Sequence, residues 1–304
     1  MIGIDVGGAN LKVVDDDGAH IHYCPLWRES NLAEILAHYR GNDAAAVMSG
    51  ELTDGFFNKT EGIAYIVRAV RKTFPNSIFY GTDGKFHRNA CPELAAANWL
   101  ASADYLQQIY PDSMMLDIGS TTADIVPFTK FSELLGMTDI IRLQRGYLIY
   151  TGMLRTPVAT LANAAVIGGT RTPFSTEYFA CSGDVHYVLG HITNTEYTVA
   201  TPDGKEVSRD ACLRRLARIV CADLEEIGEN GALAVAKAFW DAQKNLICNA
   251  VAKVAAETTR GTILVGGIGS PIFTEIIGGI SLIDIVGIPA AAFPAFAVKE
   301  IAER

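Results

Sequence analysis

A short pattern near the start of the chain returns about a third of the way along it. Ile4-Asp5-Val6-Gly7-Gly8-Ala9-Asn10-Leu11-Lys12-Val13-Val14 matches Leu116-Asp117-Ile118-Gly119-Ser120-Thr121-Thr122-Ala123-Asp124-Ile125-Val126, position for position. Both read apolar-Asp-apolar-Gly, a small polar turn, then a second apolar run. The copies lie 112 positions apart, from 5 to 117. That distance exceeds the period of a solenoid and suits two related domains. A length of 304 residues fits the same count.

Each copy predicts strand, turn, strand. Asp15-Asp16-Asp17-Gly18 then signals a hairpin. Helical patterns run over 31–39 and 61–73, and strand-like pieces over 47–50 and 77–81. Residues 93–110 predict one long Ala-rich helix, stopped by Pro111. The second half predicts strands and loops over 140–203, with a turn at Asp203-Gly204, and helices over 206–229 and 231–257. A strand over 263–265 runs into Gly266-Gly267-Ile268-Gly269, and a last helix covers 290–304. No linker or low-complexity stretch interrupts the chain. The expected lobes are residues 1–111, with the C-terminal helix 290–304 packing back on them, and 112–289.

Composition narrows the function. Apolar residues form 49% of the chain, enough for large cores. A net charge of -9 argues against a broad grip on nucleic acid, which needs many Lys and Arg contacts. It leaves room for a local basic pocket. The six cysteines lie far apart with no C-x-x-C pair, which reads as reduced thiols of a cytosolic protein. The chain opens on a strand-like segment with no leader pattern. Its uncharged stretches stop short of the roughly 18 apolar residues a membrane span needs. A cytoplasmic protein without membrane contact is expected; a homo-oligomer is compatible with the sequence.

The loops suggest the chemistry. Gly7 and Gly8 allow backbone N–H groups to point outward and a ligand to come close, and such nests bind anions. Asn10 and Lys12 add donors. Asp5 repels phosphate, so its expected role is to organise Mg²⁺ opposite the phosphates. The second loop offers Gly119, Ser120, Thr121 and Thr122 as donors, with Asp117 and Asp124 for metal or water. The third, Gly266, Gly267 and Gly269, follows a strand and can cradle a phosphate or a nucleoside face. A single Gly turn is weak evidence. Three in order, two of them internally homologous, point to a phosphate or diphosphate cleft.

The two Asp-x-Gly loops and the later Gly-Gly-x-Gly resemble the phosphate-1, phosphate-2 and adenosine motifs of the actin/Hsp70/sugar-kinase (ASKHA) superfamily. This resemblance implies an α/β chain of two ribonuclease-H-like lobes with an interlobe cleft. A narrower resemblance rests on further stretches: Cys24-Pro25-Leu26-Trp27, Ala95-Ala96-Ala97-Asn98-Trp99, Tyr150-Thr151-Gly152-Met153-Leu154-Arg155-Thr156-Pro157-Val158 and Arg215-Leu216-Ala217-Arg218. With the two loops, they are similar to the hydantoinase/oxoprolinase-related proteins linked to tetrahydromethanopterin one-carbon transfer. That family implies a transferase of methanofuran-type cofactor biosynthesis. A phenolic amine displaces pyrophosphate from a furfuryl-type diphosphate, with Mg²⁺ as cofactor. ATP or ADP can enter such a cleft without being required. An ATP-dependent small-molecule kinase and a nucleotide-binding ATPase are competing uses of the same fold.

Other candidates carry less. Arg155 can clamp a diphosphate or a carboxylate, or serve a structural ion pair. Arg145 and Arg171 read as surface or structural. Glu177 and Asp184 are candidates for base or metal ligand, and Glu51 and Asp54 for cleft acids. His20, His22 and Cys24 share a strand face, though a hairpin with exposed histidines is the better reading. Trp27 and Trp99 are expected in the core or the cleft wall.

Overall fold

The computed structural model describes residues 1–28, 31–39, 43–258 and 261–304. The chain begins with β1 (Ile2–Val6), β2 (Asn10–Asp15) and β3 (Gly18–Tyr23), followed by α1 (Leu32–Leu36), β4 (Ala44–Met48) and α2 (Lys59–Thr73). β5 (Ile78–Tyr80), β6 (Phe86–His87) and α3 (Asn98–Gln107) complete this half. The strands form one sheet in the order β3-β2-β1-β4-β5-β6. β1 and β4 are buried at every residue and pair in parallel. Their near-continuous apolar runs belong to strands covered on both faces.

The second half runs β7 (Met114–Ile118), β8 (Ala123–Pro127), α4 (Phe131–Leu134), α5 (Asp139–Arg145) and β9 (Leu148–Ile149). A two-stranded ribbon follows, β10 (Ala164–Ile167) with β11 (Thr170–Pro173), then α6 (Ser182–Val188), α7 (Arg209–Arg218) and α8 (Leu224–Thr258). β12 (Ile263–Gly266), α9 (Ser270–Ile277), β13 (Ile280–Ser281), α10 (Leu282–Val286) and α11 (Phe293–Ala302) end the chain. The second sheet reads β13-β12-β7-β8-β9.

Read from β9, this sheet repeats the first five strands of the other. Two antiparallel pairs, β9·β8 and β8·β7, are followed by two parallel pairs, β7·β12 and β12·β13. The first sheet does the same through β3·β2, β2·β1, β1·β4 and β4·β5. The internal repeat is therefore a repeat of topology. The chain is an α/β protein of two ribonuclease-H-like lobes, the ASKHA arrangement.

One strand position shows how the C-terminus is received. A Cβ built on Gly3 would lie 2.0 Å from the carbonyl oxygen of Ala295. Only glycine lets α11 lie this close on β1. The equivalent residue in the second copy is Met115, which is buried in the core.

Several elements differ from the sequence reading. The helix expected over 93–110 starts only at Asn98, because Ala96 adopts φ 48° and the Ala97 N–H is drawn to Met48 O at 3.1 Å. The helix expected over 206–229 is split in two: α7 runs from its Ser208 cap to Arg218, Cys221, at φ 58°, turns the chain, and residues 224–229 open α8. α8 is broken at Gly228 (φ 65°, ψ 176°). The stretch 140–203 contains α5 and α6. α6 hides behind a turn-like Ser182-Gly183-Asp184, where Gly183 makes room for the Tyr197 ring. Among the described residues, no helix is long and apolar enough to cross a membrane.

Candidate functional site between the two loops

The two loops close in the same way. The Gly7 N–H donates to Asn10 O at 3.0 Å, and the Gly119 N–H donates to Thr122 O at 2.9 Å. Across the ladders, Asp5 lies opposite Lys12, and Asp117 opposite Asp124. The shape is shared and the charge is not.

In the first loop Asp5 is fully buried. Lys12 Nζ donates to its Oδ2 at 2.8 Å, while Oδ1 has no hydrogen-bond partner. In the second loop two carboxylates face each other. Asp124 is held by the Arg142 guanidinium, which also donates to Asp139 at 3.0 Å and stacks over the Trp99 ring at 4.2 Å. Among the described residues Asp117 has no such cation against it. Burial, then the charge of Asp124, pushes its carboxyl up to about 7; Lys12 opposes this and Asp5 adds to it. Charges of the first loop thus act on the aspartate of the second, and with Arg155 of the second side lying over Trp27 of the first the two loops border a common space.

The third loop belongs to the second lobe's side of that space. Gly266 pairs with Asp117 in the β12–β7 register. Gly267 has φ +77°, and a Cβ there would lie 2.3 Å from Ile118 O and 2.4 Å from Asp117 Oδ1. Gly269 N donates to Ile118 O at 3.0 Å. These glycines let the third loop seat Asp117. Gly119 differs: a Cβ there would meet only Thr122 O, at an ordinary 3.7 Å. Ser120, Thr121 and Thr122 are all partly open to solvent, and the Ser120 and Thr121 hydroxyls are 3.4 Å apart.

Arg155 is carried on the second loop. The N–H groups of Leu154 and Arg155 both donate to Ser120 O, at 3.0 and 3.1 Å, and Met153 N donates to Gly119 O at 3.0 Å. Trp27 is carried on the first loop: Cys24 N donates to Ala9 O at 2.9 Å and Leu26 N to Gly8 O at 3.0 Å. The Arg155 guanidinium lies over the Trp27 ring at 4.8 Å, joining the lobes.

A polar chain that the sequence did not single out supports the second loop. Gln243, fully buried on α8, donates to Thr151 Oγ1 at 2.9 Å and Gly152 O at 3.0 Å, and its Oε1 meets His186 Nε2 at 2.9 Å. Gly152 abuts the loop so closely that a Cβ would lie 2.5 Å from Thr121 N. Burial, with His191 beside it, lowers the His186 pKa to about 3, so the ring is neutral. Arg142 was missed as well. The signal in both cases is a polar residue on a helix, which sequence alone reads as solvated.

The weaker candidates scatter. Asp184 is fully buried and receives Arg215 Nε at 2.8 Å, the Tyr197 hydroxyl at 3.1 Å and Cys181 N at 3.0 Å, an internal network rather than an open ligand. Glu177 and Asp54 are exposed, and Glu51 is buried with Oε2 unpartnered. Arg145 faces Glu133 at 3.8 Å and Arg171 reaches Asn163 at 3.3 Å, both on the surface. His22 meets the Tyr39 hydroxyl at 2.6 Å, His20 meets Asp15 at 3.4 Å, and Cys24 is buried. Among the described residues no group of three or more His, Cys, Asp or Glu side chains could hold a metal. Mg²⁺ does not need such a group, since one or two carboxylates plus substrate phosphates suffice. Asp117, which no cation among the described residues pairs, and the Oδ1 of Asp5, orphaned among them, fit that limited requirement.

The hydantoinase/oxoprolinase family model matches residues 42–301. The chain belongs to that family. Within it, the chain is 33% identical over 322 residues to the (4-{4-[2-(gamma-L-glutamylamino)ethyl]phenoxymethyl}furan-2-yl)methanamine synthase of Methanocaldococcus jannaschii, covering 100% of this chain and 98% of that protein. The enzyme of the same name from Methanococcus vannielii is 34% identical over 169 residues, covering 56% of this chain and 76% of its own. Among solved structures, nucleotide-free acetone carboxylase shares the fold of this family member, with a TM-score of 0.54 at 11% identity, covering 98% of this chain and 69% of that one. An archaeal actin homolog gives 0.44 at 14% identity, covering 99% of each chain.

Proposed function

We propose that the chain is a transferase of methanofuran-type cofactor biosynthesis. It would join the phenol of γ-glutamyltyramine to (5-aminomethyl-3-furyl)methyl diphosphate. The full-length similarity to a synthase whose product carries a phenoxymethylfuran unit supports this reading. The observation that carries the chemistry is the pairing of two loops closed in the same way, with charges of the first acting on Asp117 of the second.

The diphosphate lies along the first loop at Gly8 and the second at Ser120–Thr122, where backbone N–H groups other than those of Gly7 and Gly119 and the Ser120 and Thr121 hydroxyls are the donors on offer to its oxygens. Lys12, already held by Asp5, adds positive charge on the first-loop side. Asp117 and Asp5 would hold Mg²⁺, whose chemistry is to neutralise charge on the leaving group. The phenolic oxygen forms a bond to the furfuryl carbon as that carbon's bond to the diphosphate oxygen breaks. The products are an aryl ether, pyrophosphate and the phenol's proton. Donors aimed at the departing oxygens lower the barrier most where charge builds up.

The test is direct. The protein, the furfuryl diphosphate, γ-glutamyltyramine and Mg²⁺ should release pyrophosphate one-for-one with ether, without ATP. Stoichiometric ATP consumption with a phosphorylated small molecule would replace the transferase by a kinase.

A further inference from the structure

The Arg155–Trp27 contact joins the two loops through their own hydrogen bonds. Arg155 is exposed, and among the described residues its guanidinium has no carboxylate or hydrogen-bond partner. Its charge reaches the half-exposed Tyr178 hydroxyl. Trp27 is half-buried, with its backbone pinned against Gly55, where a Cβ would lie 3.2 Å from Trp27 Cα. A guanidinium resting on an indole where the two loops meet is held weakly. Cation–π attraction at an open site is smaller than a two-pronged, charge-assisted pair with phosphate.

We propose that Arg155 and Trp27 form an anion-responsive clasp. Arg155 leaves the indole to clamp the distal phosphate of a diphosphate ester held by the two loops. The freed face of Trp27 then receives the ester's flat, unsaturated organic group. The clasp deepens the transferase reading and rests on it only for the nature of that organic group. Ser120 ties it to the second loop, since the backbone that positions Arg155 hangs from Ser120 O. The planar fork of arginine suits two phosphate oxygens at once, which lysine cannot match.

Calorimetry with inorganic pyrophosphate and Mg²⁺ tests the clamp without turnover. Arg155→Gln should weaken pyrophosphate binding about 10- to 100-fold, with partial recovery in Arg155→Lys. Inorganic phosphate, lacking a distal group, should bind wild type and Arg155→Gln alike. Trp27→Leu should leave pyrophosphate affinity within about twofold and weaken dimethylallyl diphosphate more, because only the latter has a group to stack. Circular dichroism establishes that each variant is folded. Equal pyrophosphate affinity in folded Arg155→Gln and wild type overturns the clamp, and equal losses for both ligands in Trp27→Leu overturn the platform. Pyrophosphate held by Arg155 in a protein that makes no ether keeps the clamp and removes the transferase reading alone. No pyrophosphate binding to the wild type removes both.

Discussion

Lys12 and Asp124 stand at the same place in the two copies of the hairpin, each directly across the ladder from its loop's aspartate. The repeat keeps the backbone and reverses the charge. Asp5 is satisfied within its own lobe by Lys12. Asp124 must borrow Arg142 from α5, and Asp117 is left under strain from its like-charged neighbour.

The two loop aspartates should therefore respond differently to neutralisation. Asp5→Asn leaves Lys12 without its carboxylate and should cost on the order of 2 kcal/mol. Asp117→Asn relieves repulsion and should hold or raise Tm while lowering turnover strongly. Thermal melts and steady-state rates on both variants check this. A large Tm loss in Asp117→Asn would contradict it.

The same aspartate sets a pH trend. Its folded pKa, raised to about 7, lies above the unfolded value of 3.8. Stability from the protonated form is present below 3.8 and is lost as pH rises through about 7. Urea unfolding of wild type and Asp117→Asn should show the variant gaining on wild type as pH rises from 3.8 to about 7, and no further gain above it.

His186 gives the opposite slope. Its folded pKa of about 3 lies below the unfolded 6.5. As pH falls below 6.5 the unfolded chain takes up a proton that the folded chain refuses, and stability drops until pH reaches about 3. The loss from this residue approaches about 1.4 kcal/mol per pH unit. The stability gap between wild type and His186→Gln should narrow from pH 7 to pH 5.

Two glycines in the site should part company. Gly267→Ala places a Cβ in contact with Ile118 O and Asp117 at positive φ, and should cost about 1–3 kcal/mol or more. Gly119→Ala meets nothing closer than 3.7 Å and should keep Tm within a few tenths of a kcal/mol-equivalent shift, weakening pyrophosphate binding instead. Melting curves and calorimetry separate the two.

Thr121→Val removes one hydroxyl donor facing the second loop. Loss of a single donor to a developing anion typically slows a reaction about 10²–10³-fold. Here kcat should fall with little change in Tm, since Thr121 is partly exposed and, among the described residues, its hydroxyl meets only that of Ser120, at 3.4 Å.

The repeated Asp-x-Gly hairpin was legible because it is local: apolar alternation, a Gly turn and a fixed offset determine strand, turn and strand without reference to the rest of the chain. That pattern and the order of the three loops carried the fold class. Short or broken helices were not legible. Ala96 takes positive φ where the neighbouring Ala97 N–H is drawn to the distant Met48 O, and Cys221 where its own N–H and that of Ala222 close back on Arg218 O and Ala217 O at the end of α7, in neither case by side-chain preference. The partners of the charged residues were also beyond reach of the sequence. Asp5 and Asp117 read alike in one dimension, and burial with different neighbours separated them. Arg142, Gln243 and the meeting of Arg155 with Trp27 exist only after helices and loops far apart in the chain are brought together, since electrostatics and hydrogen bonding act through space rather than along the backbone.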